Sequence, residues 1–473
     1  IYGWRGAKVE NVQLFGKDFP DVLTVRLEQN YRSTGNILDA ANSLIAHNQS
    51  RMGKNLWTAG EKGQLIQLYT AFNEQDEARF IVDQVTQWLD SGRRADHCAI
   101  LYRTTAQSRL FEEYLLRENI PYRVYGGQRF FERTEVKDAL AYLRLMLNPN
   151  DDAALERVIN KPARAIGEKT VSMIRLQARE SGLTLWQAAN ECISQGKFAT
   201  RAGTAVSAFI RLIEGMRERM QDWTLGNQMQ GVIDDSNLAA HYEKEPRERM
   251  ETRMENLREL VNAADAFVLP QEDADAGLSE LQSFLSHAAL EAGETQGESW
   301  DDCVQLMTLH SAKGLEFPLV FIVGMEDGLF PHQRSVEDAA GRLEEERRLC
   351  YVGMTRAREK LYLTYAEIRR MHGSENFCRP SRFIDEIPAE YLEEIRPRTS
   401  SRQPWVSARP AAAMSPDSSN WPFKLGQAVL HPKFGEGTVM SFEGSGEHTR
   451  VHVNFLDVGA KWLVLAYANL QAR

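Results

Sequence analysis

An α/β rhythm that stops and later restarts constrains this chain more than any other feature. A strand pattern at Gln64 to Thr70 precedes a helical one from Glu74 to about Leu89, where Ala78, Ile81, Val82, Val85 and Trp88 recur at helical spacing. A strand at Cys98 to Tyr102, a helix over Ala106 to Glu118 and a strand at Tyr122 to Tyr125 follow. From about Gln128 to Ser299 no strand pattern occurs. Glu135 to Leu147, Asp151 to Asn160, Thr184 to Ile193, Ala205 to Gln221 and Arg249 to Phe267 read as helices instead. Strands return at Val304 and Leu319 to Val323, then a helix over Leu343 to Met354 and a strand at Lys360 to Tyr365. The pattern predicts one α/β domain with a parallel sheet, interrupted by a large all-helical insertion. Two unrelated domains in series would not explain why strands resume after the helices.

The 473 residues have room for two to four domains. No run of eighteen apolar residues and no signal peptide is visible, which predicts a cytoplasmic protein with no membrane partner. Five scattered cysteines without a CxxC pair argue against a disulfide framework or zinc site and fit a reducing compartment. A net charge of -10 does not exclude nucleic acid, because a polyanion needs only a local basic groove. The chain opens on Ile1 within polar, glycine-rich sequence, and the expectation is a product lacking an upstream part. Residues 396–420 are rich in Pro, Ser and Arg and predict a disordered linker. Short strand patterns beyond it ("AVLH", "GTVMSFE", "RVHVNF", "KWLVL") predict a small SH3-like or Tudor-like barrel.

"VQLMTLHSAKGLEF" (Val304 to Phe317) places Thr, His, Lys and Glu at the end of an apolar strand, where a parallel sheet usually has its ligand crevice. Three more clusters ask to be explained with it: "IYGWRGA" (Ile1 to Ala7), "RLEQNYRST" (Arg26 to Thr34) and "EEERRLCYVGMTRAREKL" (Glu344 to Leu361). In chain order the four resemble motifs III, IV, V and VI of superfamily 1 DNA helicases of the UvrD/Rep/PcrA type. The resemblance spans nearly the whole chain.

It implies a domain plan. Residues 1–28 would end a first motor domain, and 29–127 with 300–390 would form a second, RecA-like one. Residues 128–299 would be its insertion, 391–420 a linker and 421–473 the barrel. It also implies 3′ to 5′ movement on single-stranded DNA, unwinding in excision and mismatch repair and in replication, and use of ATP with Mg²⁺. The chain contains no GxxxxGK[ST] and no DExx strand end before the first cluster. The phosphate loop and magnesium carboxylates are therefore expected in absent N-terminal sequence, and the 473 residues alone should be inactive. Expected partners are single strands, duplex–single-strand junctions and, through the barrel, repair or transcription proteins, with the motor a monomer or weak dimer. Two rivals stand beside this reading: a DNA-binding or partner-docking protein without ATPase activity, and a helicase–nuclease subunit, whose nuclease domain the barrel displaces.

Residue by residue, Arg32 and Arg356 map to arginines that reach the γ-phosphate, where a planar guanidinium suits charge spread over several oxygens. Surface ion pairing is the plain alternative for both, as expected of Glu344 with Arg348 at i,i+4. Tyr31 maps to an adenine-stacking tyrosine, against a core role. Glu316 maps to a ribose-binding carboxylate, against a capping or solvated one. Thr308 and His310 map to positions facing the DNA backbone, a structural histidine being the alternative. Tyr2 and Trp4 would stack bases, with Arg5 and Arg103 as further strand contacts. Family members commonly carry Asn where Thr105 stands, which leaves Thr105 unassigned. "ARAIGEKT" (Ala163 to Thr170) resembles a helix–hairpin–helix element whose Gly167, Lys169 and Thr170 would hold a duplex phosphate, and a simple glycine turn between helices weighs equally.

Overall fold

The computed structural model describes residues 11–49 (except 12, 13, 16, 17, 20 and 24), 54–293, 302–337, 340–371, 374–395, 428–431, 435–443, 450–455, 459–464 and 470–472. Two compact units result, residues 1–399 and 400–473.

The first unit runs through α1 (Gly35–Ala46), β1 (Ile66–Ala71), α2 (Glu74–Asp90), β2 (Cys98–Tyr102), α3 (Ser108–Arg117) and β3 (Tyr122–Val124). Helices follow without a strand: α4 (Thr134–Leu147), α5 (Asp152–Val158), α6 (Glu168–Ser181), α7 (Leu185–Ser194), α8 (Thr200–Arg219), α9 (Leu225–Ser236), α10 (Leu238–Tyr242), α11 (Arg247–Ala266), α12 (Gln271–Asp275) and α13 (Glu280–Gly293). Then come β4 (Val304–Thr308), β5 (Phe317–Ile322), α14 (Gln333–Glu337), α15 (Ala340–Met354), β6 (Ala357–Ala366), the β7–β8 hairpin (Ile368–Met371, Ser374–Phe377), α16 (Arg382–Asp385) and β9 (Leu392–Glu394).

Strand order decides the architecture. The sheet reads β3-β4-β2-β5-β6-β1-β9, and its neighbouring strands all pair in parallel among the described residues. β4 sits between β3 and β2, and β5 between β2 and β6, so strands from both sides of the helical stretch interleave. A serial arrangement of two domains cannot produce that order. Alternation along each strand feeds two cores. Ala99 and Leu101 of β2, with Val320 and Ile322 of β5, meet α1 and α15, while Cys98, Ile100 and Tyr102 meet α2 and α3. α2 starts where the Asn73 side chain accepts from the Asp76 N–H at 2.9 Å, with Glu74, Asp76 and Glu77 in its first turn.

The helices α4 to α13 enclose their own core around Tyr142, Phe209, Tyr242 and Phe284. α11 ties it to the α/β layer: Glu259 pairs with Arg109 at 2.6 Å and Asp265 with Arg370 at 2.8 Å.

One boundary needs correction. The linker expected from residue 391 starts later, because Leu392–Glu394 joins β1 as a parallel edge strand and the Ile395 N–H donates to the Leu68 carbonyl at 3.0 Å. The remainder of that linker, 396–420, lies outside the described residues.

The second unit is a five-stranded antiparallel sheet, β10 (Ala428–His431), β11 (Gly435–Glu443), β12 (Arg450–Phe455), β13 (Gly459–Val464) and β14 (Gln471–Ala472), in the order β13-β12-β11-β10-β14. Val451 and Val453, two apart on β12, are fully buried.

Candidate nucleotide and nucleic-acid site

The loop before α1 and the residues that lead into β5 and β6, at the amino ends of those two strands and not at the carboxyl ends expected from the sequence, bring three of the four clusters to one carboxylate, Glu316. Asn30 Oδ1 accepts from the backbone N–H of Arg32 (2.7 Å) and of Ser33 (2.9 Å), an Asx turn that fixes the direction in which Arg32 leaves the chain. Ser33 Oγ donates to the Ala357 carbonyl at 2.6 Å, and the Thr34 N–H reaches the Arg358 carbonyl at 3.3 Å. These bonds staple the Tyr31–Arg32 loop to the start of β6. Arg32 Nε then meets Glu316 at 2.6 Å, and its Nη1 donates to the Thr355 carbonyl at 3.3 Å.

Arg356 follows α15 and is buried. Its Nε donates to the Val352 carbonyl (3.0 Å), Nη1 to the Leu315 carbonyl (2.9 Å) and Nη2 to Thr355 Oγ1 (3.2 Å). All three acceptors are neutral, and the Glu316 carboxylate offsets its charge only through space. Burial, and then the Arg32 charge beside it, pull its pKa down to about 10. Arg358 lies 3.8 Å from Glu316 on the other carboxylate oxygen. Three guanidinium groups therefore border a single carboxylate, whose own pKa is lowered by the Arg32 hydrogen bond above all. Such a surplus of positive charge suits a polyanion. The triphosphate of ATP meets that condition. Tyr31, with 85% of its surface exposed and its hydroxyl on Gln29 Oε1, offers a free ring face and is no core residue. Among the described residues no group of three or more His, Cys, Asp or Glu is placed to hold a metal ion.

The plain alternatives fare differently. Arg32 is an ion-pair partner, as that alternative required, whereas Arg356 pairs with no carboxylate among the described residues. Glu344 and Arg348 pair at 2.9 Å, as expected.

On the other side of the same loop, Thr308 Oγ1 lies 2.9 Å from Ser311 Oγ and accepts the Ser311 N–H at 3.3 Å. Gly314 has φ +89°, which lets the chain turn back toward β5. His310 is mostly buried, and desolvation, then the nearby Arg103 charge, push its pKa down to about 4. It is a neutral ring at physiological pH. Arg103 differs from a free strand contact: its Nε and Nη2 grip Glu346 in a bidentate pair at 2.8 to 3.1 Å. Thr105 Oγ1 faces Asn256 of the helical layer at 3.4 Å. Sequence reasoning missed Glu346, because a run of three glutamates gives no sign of which one turns inward. It also missed Arg358 and the Asn30 turn, although an Asn before Tyr-Arg-Ser is a recognisable turn signal.

Gly167 caps α6 with φ -83°, and a β-carbon there would meet nothing within 4 Å. No backbone strain requires glycine at that point. Gly167 and Lys169 are exposed and Thr170 half-buried, while the neighbouring Glu168 pairs with Arg175 at 2.6 Å. Tyr2, Trp4 and Arg5 lie outside the described residues.

Comparison with known proteins shows the family. A family model described as the UvrD-like helicase C-terminal domain matches residues 25–368, and one described as the PcrA/UvrD tudor domain matches 425–471. The chain belongs to the UvrD-like helicase family. It is 56% identical over 472 residues to DNA helicase II of Escherichia coli, covering 100% of this chain and 65% of that protein. It is 51% identical over 471 residues to DNA helicase II of Haemophilus influenzae, at 100% and 64% coverage. Against the ATP-dependent DNA helicase PcrA of Bacillus subtilis the identity is 39% over 492 residues, at 100% and 65% coverage. The chain thus spans just under two thirds of the length of these relatives. Among the described residues no helix is long and apolar enough to cross a membrane.

Proposed function

We propose that this chain is the C-terminal part of an ATP-driven DNA helicase that moves 3′ to 5′ on single-stranded DNA and unwinds duplex during repair and replication. Residues 29–127 and 300–395 form its second motor domain, 128–299 the insertion and 421–473 a docking barrel. ATP binds against the Arg32–Glu316–Arg356 face, with Tyr31 on the adenine, Glu316 on the ribose, and Arg32 and Arg356 on the γ-phosphate. The phosphate loop and the magnesium carboxylates come from sequence outside these 473 residues, and the 473 residues alone do not hydrolyse ATP. Single-stranded DNA crosses the Thr308–His310 side of the same loop, with Tyr2, Trp4 and Arg5 stacking and pairing along it. The Gly167–Thr170 turn holds a duplex phosphate at the junction. The motor works as a monomer or weak dimer in the bacterial cytoplasm, associated with the nucleoid.

The observation that carries this reading is a buried Arg356 guanidinium held only by neutral acceptors, close enough to Arg32 for that charge to act on it, while Arg32 holds Glu316. One carboxylate, Glu316, does not balance the Arg32, Arg356 and Arg358 charges around it, and a further anion would relieve the excess. A developing γ-phosphoryl charge is such an anion. The test is steady-state hydrolysis by the natural full-length protein. Arg356→Ala or Arg32→Ala should lower kcat by roughly 10³ while nucleotide binding survives. Near-normal turnover in either variant returns that arginine to a structural role.

A further inference from the structure

Arg103 was expected on the strand, yet its guanidinium is engaged elsewhere. Nε bonds both Glu346 oxygens, at 3.1 and 2.9 Å, and Nη2 bonds Oε1 at 2.8 Å. Glu346 is 6% exposed at its side chain and Arg103 22%. The same carboxylate accepts the His332 N–H at 3.2 Å. Loops after β2 and β5 thus converge on one side chain of α15, and the neutral His310 from the loop after β4 lies close enough to feel both charges. α15 continues for about 12 Å beyond Glu346, at about 1.5 Å per residue. Two residues past its end stands Arg356.

A buried carboxylate stripped of its bidentate partner is strongly disfavoured. Arg103 therefore cannot turn to a strand phosphate while Glu346 stays where it is. Either the carboxylate keeps the guanidinium, or the helix carrying it moves.

We propose that Glu346 is a positioning residue that holds Arg103 off the nucleic-acid strand, so that the strand gains this phosphate contact only when α15, and Arg356 with it, shifts. This rests on the helicase reading above and adds to it a physical link between strand grip and the γ-phosphate arginine. While Glu346 holds it, Arg103 contributes little to strand binding.

The experiment measures binding of a fluorescent oligo-dT to the natural full-length protein without nucleotide, across a NaCl series. Glu346→Gln keeps the shape and removes the charge that retains Arg103. It should bind about threefold or more tighter at low salt, with the salt slope steeper by about 1, one phosphate contact's worth. Adding Arg103→Ala to Glu346→Gln should abolish both gains. Glu346→Asp, which keeps the charge, should keep the wild-type slope. A merely structural Glu346 would instead give weaker binding with an unchanged slope. That result, or unchanged binding in Glu346→Gln, overturns the proposal. Should Glu346→Gln melt early, the comparison passes to Glu346→Gln against Glu346→Gln/Arg103→Ala, two proteins weakened alike. A loss of affinity and slope in the double variant supports the proposal, and equality sinks it. If the wild type binds no oligo-dT at all, the helicase reading itself falls, which is a distinguishable outcome.

Discussion

At the scale of single residues, environment decides what a side chain can do more than its type does. His310 shows this. Its imidazole is neutral because burial, then Arg103, hold its pKa near 4, well below the 6.5 of an exposed histidine. The unfolded chain takes up a proton near pH 6.5 that the folded chain refuses until about pH 4. Stability is therefore complete above pH 6.5 and falls as pH drops through that window, by at most about 3 kcal/mol. Denaturant melts of His310→Asn from pH 7 to 4 should show a shallower decline than wild type, and identical slopes would contradict the assignment. None of this could be read from "TLHSAK", where a histidine beside a threonine and a lysine looks like a solvated donor. Arg32 and Arg356 were legible as a pair only through the motifs that their clusters resemble. Which of them is ion-paired was not legible, since that depends on Glu316 and Thr355 approaching across a chain separation of some 300 residues.

At the scale of elements, strands and helices were legible wherever periodicity was strong. β2 and β12 occur at the residues expected, because uninterrupted apolar or alternating runs admit one reading. β9 was not legible. Leu392–Glu394 carries two glutamates and pairs with only one neighbour, so nothing in its composition distinguishes an edge strand from the polar linker after it. α6 illustrates a different limit. Its start at Gly167 was clear, but whether the glycine serves the turn or a ligand was open. The ordinary φ and the open space around it remove the conformational reason for glycine. If those amides hold duplex phosphate, Gly167→Val should weaken binding to a duplex–single-strand junction by about tenfold while sparing bare single strand and the melting temperature. Equal loss on both substrates would point to a simple turn.

At the scale of the whole molecule, interleaved strands make the α/β layer one folding unit despite the helical residues between its halves, and the barrel is a separate unit. The barrel segment 421–473 has five Lys and Arg against four acids, too near balance for a polyanion footprint and better suited to a protein partner. Ending the natural full-length protein at Arg396 should leave hydrolysis and unwinding within a few-fold of normal and abolish capture of that partner, judged by pull-down beside an unwinding assay. Loss of unwinding would assign the barrel to the motor instead. The central claim is that Arg32 and Arg356 serve the charge that develops on the γ-phosphoryl group. It is tested most directly by comparing affinity for ADP with affinity for ADP–aluminium fluoride, a mimic of that transferring group, in the full-length protein and in its Arg32→Ala and Arg356→Ala variants. Each substitution should leave ADP affinity within a few-fold and cost the mimic roughly 10² or more. Parallel loss for both ligands, or no loss for the mimic, would contradict it.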